Sequence, residues 1–246
     1  FSVIDFVGGM EDLRKKIIRA IGDPNVRFIE DPVRMMRAVK FSSRLGFTIE
    51  RKTLAAKKKH HAAILTASAP RICEEVFRLF PYGHSAEAFR LLRSVGMLGD
   101  LLPELAKAIE KTGGERSPAW GYLKSLDDYE KMMSAKGFEV SNGIRAAVLM
   151  TVMLAFDRKD GAGRRVMKTL IDRLHVPKAV YFLGALLIES RKRLSVSPSK
   201  GKTRFIYNRD FLDALDYNRI VLRAEGQDES VLNEWADLYE EKGNEQ

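Results

Sequence analysis

Residues 29–46 read IEDPVRMMRAVKFSSRLG. An aspartate followed by proline is the start expected of a helix, with Asp31 as the capping residue and Pro32 pre-set for the first turn. Gly46 stands where such a helix would close. Residues three or four apart share a helix face. Asp31, Arg34, Arg37, Lys40 and Arg44 therefore lie roughly along one side, and Met35, Ala38, Val39, Ser42 and Leu45 along a side that can pack inward. Two accounts of the polar side stand open. In one, Asp31 caps the helix and the arginines are solvated or paired with Glu30. In the other, a carboxylate that accepts beside a guanidinium that donates matches a base edge with an amine next to a ring-nitrogen acceptor. Adenine and cytosine have that edge. Uracil and guanine present a ring N–H and a carbonyl, and unpaired buried polar groups would reject them. Arg37 and Lys40 could then reach toward a triphosphate.

Outward from this stretch the pattern is helical almost throughout. GGMEDLRKKIIRAIG (8–22) has Glu11 and Asp12 in a first turn and Gly22 at its end, with Pro24 beyond. Pro70 starts RICEEVFRLF, in which Cys73, Val76, Phe77 and Phe80 form an apolar stripe. Ser85 caps AEAFRLLRSV. The segment KTGGERSP (111–118) is a boundary. A second helical block covers 119–194, with the apolar run Ala146–Phe156 as a central core helix. The loop SVSPSKGKTR (195–204) precedes NRDFLDALDYNRIVLRAEG, and the final acidic residues either fray or pair with a basic patch. The opening FSVIDFVGG is rich in β-formers. An isolated strand has nothing to pair with, so it reads as the last strand of a sheet lying upstream, and the chain as a fragment. The fold class is all-α, trailing one strand.

The 246 residues are 45% hydrophobic and 30% charged, with a net charge of +9 and a pI near 9.6. That hydrophobic share excludes a disordered chain. The positive excess suits a polyanionic partner without locating a site. With Cys73 alone, no internal disulfide and no cysteine zinc site can form. No segment reaches the ~20 apolar residues of a membrane span. No signal peptide is recognisable, and the expectation is a cytoplasmic protein.

The order GGMEDLRKKIIRAIGDP, RFIEDPVRMMRAVKFSSRLGF, APRICEEVFRLF and LLRSVGMLGDLLPEL resembles the class II nucleotidyltransferases, the tRNA CCA-adding enzymes and bacterial poly(A) polymerases. The resemblance implies a nucleotide-base site at Glu30, Asp31 and Arg34, with Glu30 steadying Arg34 and with Arg37 and Lys40 along the nucleotide. It implies a hinge at Asp5, Gly8, Gly9 and Asp12. It divides the chain into the end of a catalytic head and hinge (1–22), a neck (23–114) and a helical body (115–246). The opening strand would then be the remnant of an upstream α/β head, which also carries the catalytic carboxylates and their Mg²⁺. No carboxylate here is promoted in their place: Asp127, Asp128 and Asp210 read as helix-start or surface residues.

PSKGKTRFIYNRDFLDALDYNRIVLRAEG (198–226) resembles poly(A) polymerases more than CCA-adding enzymes. The implied reaction is transfer of AMP from ATP to RNA 3′ ends. CCA addition to tRNA is the alternative, and a non-catalytic RNA-binding adaptor the alternative from another class. Arg191, Lys192, Arg193, Lys200, Lys202, Arg204 and Arg209, interleaved with Phe205 and Tyr207, suit single-stranded RNA. A solvated loop with core aromatics would give the same pattern. Arg51, Lys52, Lys57, Lys58 and Lys59 form a second basic patch, read as a solvated helix face.

Overall fold

The computed structural model describes residues 2–155, 161–199 and 203–243, and they form an all-α protein with a single two-stranded parallel pair. The first elements are helix α1 (Gly9–Lys15), strand β1 (Ile17–Ile18), helices α2 (Pro24–Glu30) and α3 (Val33–Leu45), strand β2 (Thr48–Ile49) and helix α4 (Arg51–His60). A 3₁₀ turn, His61–Thr66, leads to α5 (Ala69–Phe77), α6 (Ser85–Ser94), α7 (Met97–Leu101) and α8 (Pro103–Lys111). After the turn Gly114–Arg116 come α9 (Ala119–Ala135), α10 (Asn142–Ala155), α11 (Ala162–Met167) and a π-helical turn, Lys168–Arg173. Helix α12 (Lys178–Leu194), the 3₁₀ turn Thr203–Tyr207, α13 (Phe211–Glu225) and α14 (Ser230–Gly243) complete the chain. None of the described helices is long and apolar enough to cross a membrane.

Val3, Ile4, Phe6 and Val7 are exposed and form no ladder with the other described residues. Three local expectations are corrected. The first helix ends at Lys16, in a left-handed conformation, and not at Gly22. Ile17 and Ile18, β-branched, pair instead with Thr48 and Ile49, through Thr48 N–H to Lys16 O and Glu50 N–H to Ile18 O, both 2.9 Å. Asp31 closes α2 as its C-cap and does not cap α3, whose side-chain cap is absent. Finally, the acidic C-terminal stretch forms α14, fastened by the buried Leu232 and Trp235.

One apolar core runs from Phe28 in α2 to Trp235 in α14. The run from Ala146 lies at its centre, with Ala147, Val148, Val152 and Met153 fully enclosed. Helix α10 crosses α12 closely enough that a Cβ at Gly143 would come within 2.4 Å of Leu183. Cys73 is a buried thiol, and burial pushes its pKa up, as expected of a core position.

Asp127 is likewise inside, 3% exposed, and not at the surface. Its carboxylate accepts from Ser85 N (2.7 Å), Ser85 Oγ (2.6 Å) and Ala86 N (2.9 Å), so a residue of α9 caps α6 and Ser85 donates to it. The approach is tight: Gly83 has φ 71°, and a Cβ there would fall 2.1 Å from Asp127 O. Asp128 points outward to Lys124, and Asp210 precedes α13 beside Arg209. Replacing Asp127 by alanine removes the cap of a buried helix end, and should cost at least about 2 kcal/mol. Asp128→Ala should leave the thermal midpoint unchanged in the same calorimetric comparison.

Lys57 overturns its reading as part of a solvated face. Its side chain is fully buried, its Nζ has no hydrogen-bond partner, and burial lowers its pKa to about 7. Between pH 7 and the ordinary lysine value near 10.5, the unfolded chain holds a proton that the folded chain lacks. Stability must therefore rise with pH across that window, and the cost of burial is greatest below it. Lys57→Met should raise the melting temperature at pH 7 by several degrees and flatten the rise between pH 7 and 10, as read by thermal melts in a pH series.

Candidate functional site

Helix α3 is tied to α5 at two points. Near the middle of α3, the Lys40 ammonium donates to Glu75 at 3.0 Å, with both side chains buried. Just before α3, at the residue that closes α2, Arg71 donates to both Asp31 oxygens at 3.2 and 3.3 Å. Arg71 and Glu75 are one helical turn apart on α5, so one helix face holds both contacts. Glu75 also accepts from Arg78 at 3.0 Å.

Around Asp31 the charges form a chain. Arg34 Nε lies 3.8 Å from Asp31, Arg34 Nη1 lies 3.7 Å from Glu30, and Arg27 donates to Glu30 at 2.6 Å. Arg34 Nη1 is itself buried and has no hydrogen-bond partner, being beyond bonding reach of Glu30. A buried guanidinium donor without an acceptor in bonding range is costly.

Arg34 opens onto a cleft of about 350 Å³ between α3 and the β1–α2 connection. Arg19, Arg27 and Arg37 share its lining with Phe28, Phe41 and Ala38. Arg37 is exposed and no carboxylate pairs with it among the described residues. Of the residues expected to contact a nucleotide, the structure thus brings Arg34 and Arg37 to the cleft. Glu30 and Asp31 adjoin it through Arg34. Lys40 is not brought there, because its charge is compensated on the inner side of α3 by Glu75.

The four residues expected at a hinge, Asp5, Gly8, Gly9 and Asp12, lie at the start of α1. The Asp5 carboxylate accepts from Val7, Gly9 and Met10 N–H groups at 3.1, 2.9 and 2.8 Å, and these bonds hold its pKa below the usual carboxylate value. Asp5 thereby satisfies the free donors at the start of α1, with Gly8 turning the chain at φ 75°. Asp12 takes a bidentate pair from Arg19 at 2.8 and 2.9 Å. Arg19 lines the cleft, so α1 is linked directly to it.

The basic region of the C-terminal half divides. Lys192, Arg193, Arg204, Phe205 and Tyr207 line a second cleft, of about 950 Å³, with Val196, Asn208 and Trp235. Arg191 points away from it and is bidentate to Glu225 at 3.1 and 2.8 Å. Arg209 is solvent-exposed beside Asp210. Lys200 and Lys202 lie outside the described residues. In the other basic patch, Arg51, Lys52, Lys58 and Lys59 are exposed and Lys57 is not.

Two participants escaped the sequence reading. Arg71 and Arg19 lie 40 and 12 residues from Asp31; the packing of α5 brings Arg71 to Asp31, and the β1–β2 pairing sets Arg19 at the cleft. Arginine one turn before a buried glutamate on an amphipathic helix was the available signal for Arg71. Lys40→Ala should lower stability by on the order of 2–3 kcal/mol in denaturant titration, because it leaves Glu75 buried with Arg78 as its remaining cation.

Three comparisons bear on this geometry. Residues 46–109 match a family model described as "Probable RNA and SrmB- binding site of polymerase A". The chain is 42% identical over 105 residues to a CCA-adding enzyme of Lactobacillus helveticus, and 39% identical over 114 residues to poly(A) polymerase I of Escherichia coli. Those matches cover 43% and 46% of this chain but only 26% and 24% of the relatives. Among solved structures, the Bacillus stearothermophilus CCA-adding enzyme in complex with CTP superposes with a TM-score of 0.67 at 21% identity, over 97% of this chain and 53% of that one. The Thermotoga maritima CCA-adding enzyme complexed with tRNA-CCA gives 0.62 at 20% identity, over 95% and 54%. At such identities the structural likeness speaks to the fold, and the chain spans about half the length of these enzymes.

Proposed function

We propose, from the membership of this chain in the class II nucleotidyltransferase family, that it is the neck and body of a template-independent RNA nucleotidyltransferase. In this reading residues 1–22 are the end of the head and the hinge, 23–114 the neck that selects the base, and 115–246 the body that holds RNA. The intact enzyme adds AMP from ATP to an RNA 3′ end and releases pyrophosphate. The observation that carries the reading is the cleft that Arg34 and the exposed Arg37 line together with Phe28 and Phe41.

The chemistry of this chain is selection and positioning. Arg34 donates to the ring nitrogen of adenine, and Asp31 accepts from the neighbouring amine. Asp31 is held by Arg71 at 3.2 Å, so the carboxylate is aimed while lone pairs remain available. Glu30, itself paired with Arg27, steadies Arg34. Arg37 supplies positive charge for a triphosphate. Phe41 offers an apolar wall.

Mg²⁺ bound to the head would stabilise charge on the transferred phosphoryl group. Among the described residues no group of three or more His, Cys, Asp or Glu is placed to hold such an ion, and no step on this chain runs through one.

A second reading, CCA addition with CTP and ATP accepted in turn, is favoured by sequence relatives that include CCA-adding enzymes. The adaptor reading would leave the arginine cleft unused.

Primer extension by the full-length protein separates these. A generic labelled oligoribonucleotide and a tRNA without its 3′ end are each offered ATP and CTP, singly and together. An adenylate ladder on the generic primer is the expected result. A stop after C, C and A on the tRNA would assign CCA addition. No extension of either would leave the adaptor. Arg34→Ala should reduce correct incorporation at least 100-fold and relax discrimination against UTP and GTP; incorporation at the wild-type rate would remove the base-selecting role.

A further inference from the structure

The cleft at the C-terminal end of α12 has a composition unlike the rest of the body. Elsewhere in the body several arginines are matched: Arg145 with Glu130, Arg191 with Glu225, and Arg219 and Arg223 with Glu229. At the cleft Lys192, Arg193 and Arg204 have no carboxylate partner among the described residues, and they converge on one concavity. Arg193 rests over the Phe205 ring at 4.8 Å. Like charges gathered without counter-ions on a concave surface raise the local positive potential, and favour an anionic occupant.

The floor is aromatic and preformed. Phe205 and Trp235 are buried, Trp235 Nε1 donates to Val196 O at 2.9 Å, and Phe205 packs edge-on against Phe211 at 5.6 Å. Little side-chain ordering is left for a ligand to impose. At the rim, Tyr207 behaves differently from its neighbours: Phe205 and Ile206 are in the core, whereas the Tyr207 ring is 61% exposed. Core packing does not account for that ring. At about 950 Å³ the cleft stands at the upper end of the ~300–1,000 Å³ usual for ligand clefts, enough for a base with its sugar and flanking phosphates.

We propose that this cleft is a subsite for unpaired RNA, with one base stacked on Tyr207 and adjoining phosphates on Lys192 and Arg204. The choice of RNA as occupant rests on the nucleotidyltransferase reading. An acidic peptide would match the cations but would leave the exposed ring unexplained, whereas alternating phosphate and base matches both. The recognition carries little sequence preference, because stacking uses a face common to all bases. Asn208, the uncharged amide of the cleft, is partly committed, its Oδ1 accepting from Asp210 N at 3.0 Å.

The test measures binding of the 246-residue chain to fluorescently labelled rU and rA dodecamers by anisotropy, over a series of salt concentrations and without any nucleoside triphosphate. The expected results are these. Tyr207→Ala weakens binding about tenfold with an unchanged salt dependence, and Tyr207→Phe restores it. The double variant Lys192→Ala, Arg204→Ala weakens binding at least tenfold, and its slope of log affinity against log salt falls by about 1.4, the value for two single-strand phosphates. Unlabelled dodecamer competes far better than duplex RNA or poly-glutamate. Wild-type affinity in both the tyrosine and the double-cation variants would overturn the subsite, as would preferential competition by poly-glutamate or no binding by the unmodified chain. Arg34→Ala is read in the full-length protein by primer extension, which tests the base-selecting cleft and not dodecamer binding. Failure of the subsite and failure of the nucleotide reading are thus seen in different variants.

Discussion

The double attachment of α3 to α5 is the constraint on which the neck depends. Lys40 and Glu75 are each nearly withdrawn from water and meet there at 3.0 Å, with Arg78 as a second partner of the glutamate. Their pairing fixes how α5 lies against α3. With that set, Arg71 on the same face of α5 is delivered to Asp31. Two helices that packed through apolar contacts alone could slide by a side-chain width at small cost. A buried ion pair converts that soft alignment into a discrete one, and an aspartate that must meet a particular atom of a ligand benefits from it.

The helices were legible because periodicity and punctuation are local signals. Gly46, Pro24, Pro70 and the glycines near 113 mark real ends, and the apolar run from Ala146 lies at the centre of the core. What misled was each case in which a distant partner overrode a local rule. Ser85 looks like a cap until Asp127, 42 residues on, is seen to serve that end. Ile17 and Ile18 fit a helix until Thr48 and Ile49 offer them a ladder. Lys57 sits among lysines and histidines, and nothing in that composition tells that the helix turns it toward the interior.

The site was readable in type but not in arrangement. The acidic pair and arginine of the 30–34 stretch could be singled out, because a carboxylate and a guanidinium at helical spacing have few uses besides pairing with each other or with a base. That Lys40 faces the core while Arg37 faces the cleft is a matter of about one residue's rotation of α3, finer than any pattern of charges along it. In the body, the same string of cations contains a structural arginine, Arg191, and free ones a residue or two away, because Glu225 reaches only the first.

The chain holds two tryptophans, and their surroundings differ in a useful way. Trp120, near the start of α9, lies beneath the Arg90 guanidinium at 4.6 Å and donates to Gly114 O at 2.9 Å, so it marks the junction after α8. Trp235 underlies the cationic cleft at the opposite end of the sequence. Each indole N–H is bonded to a backbone carbonyl of its own neighbourhood, so each emission reports whether that neighbourhood is intact. With one indole replaced by phenylalanine, the chain becomes a single-wavelength optical probe. The pair of such proteins would show whether the two regions melt in one cooperative event or come apart in sequence.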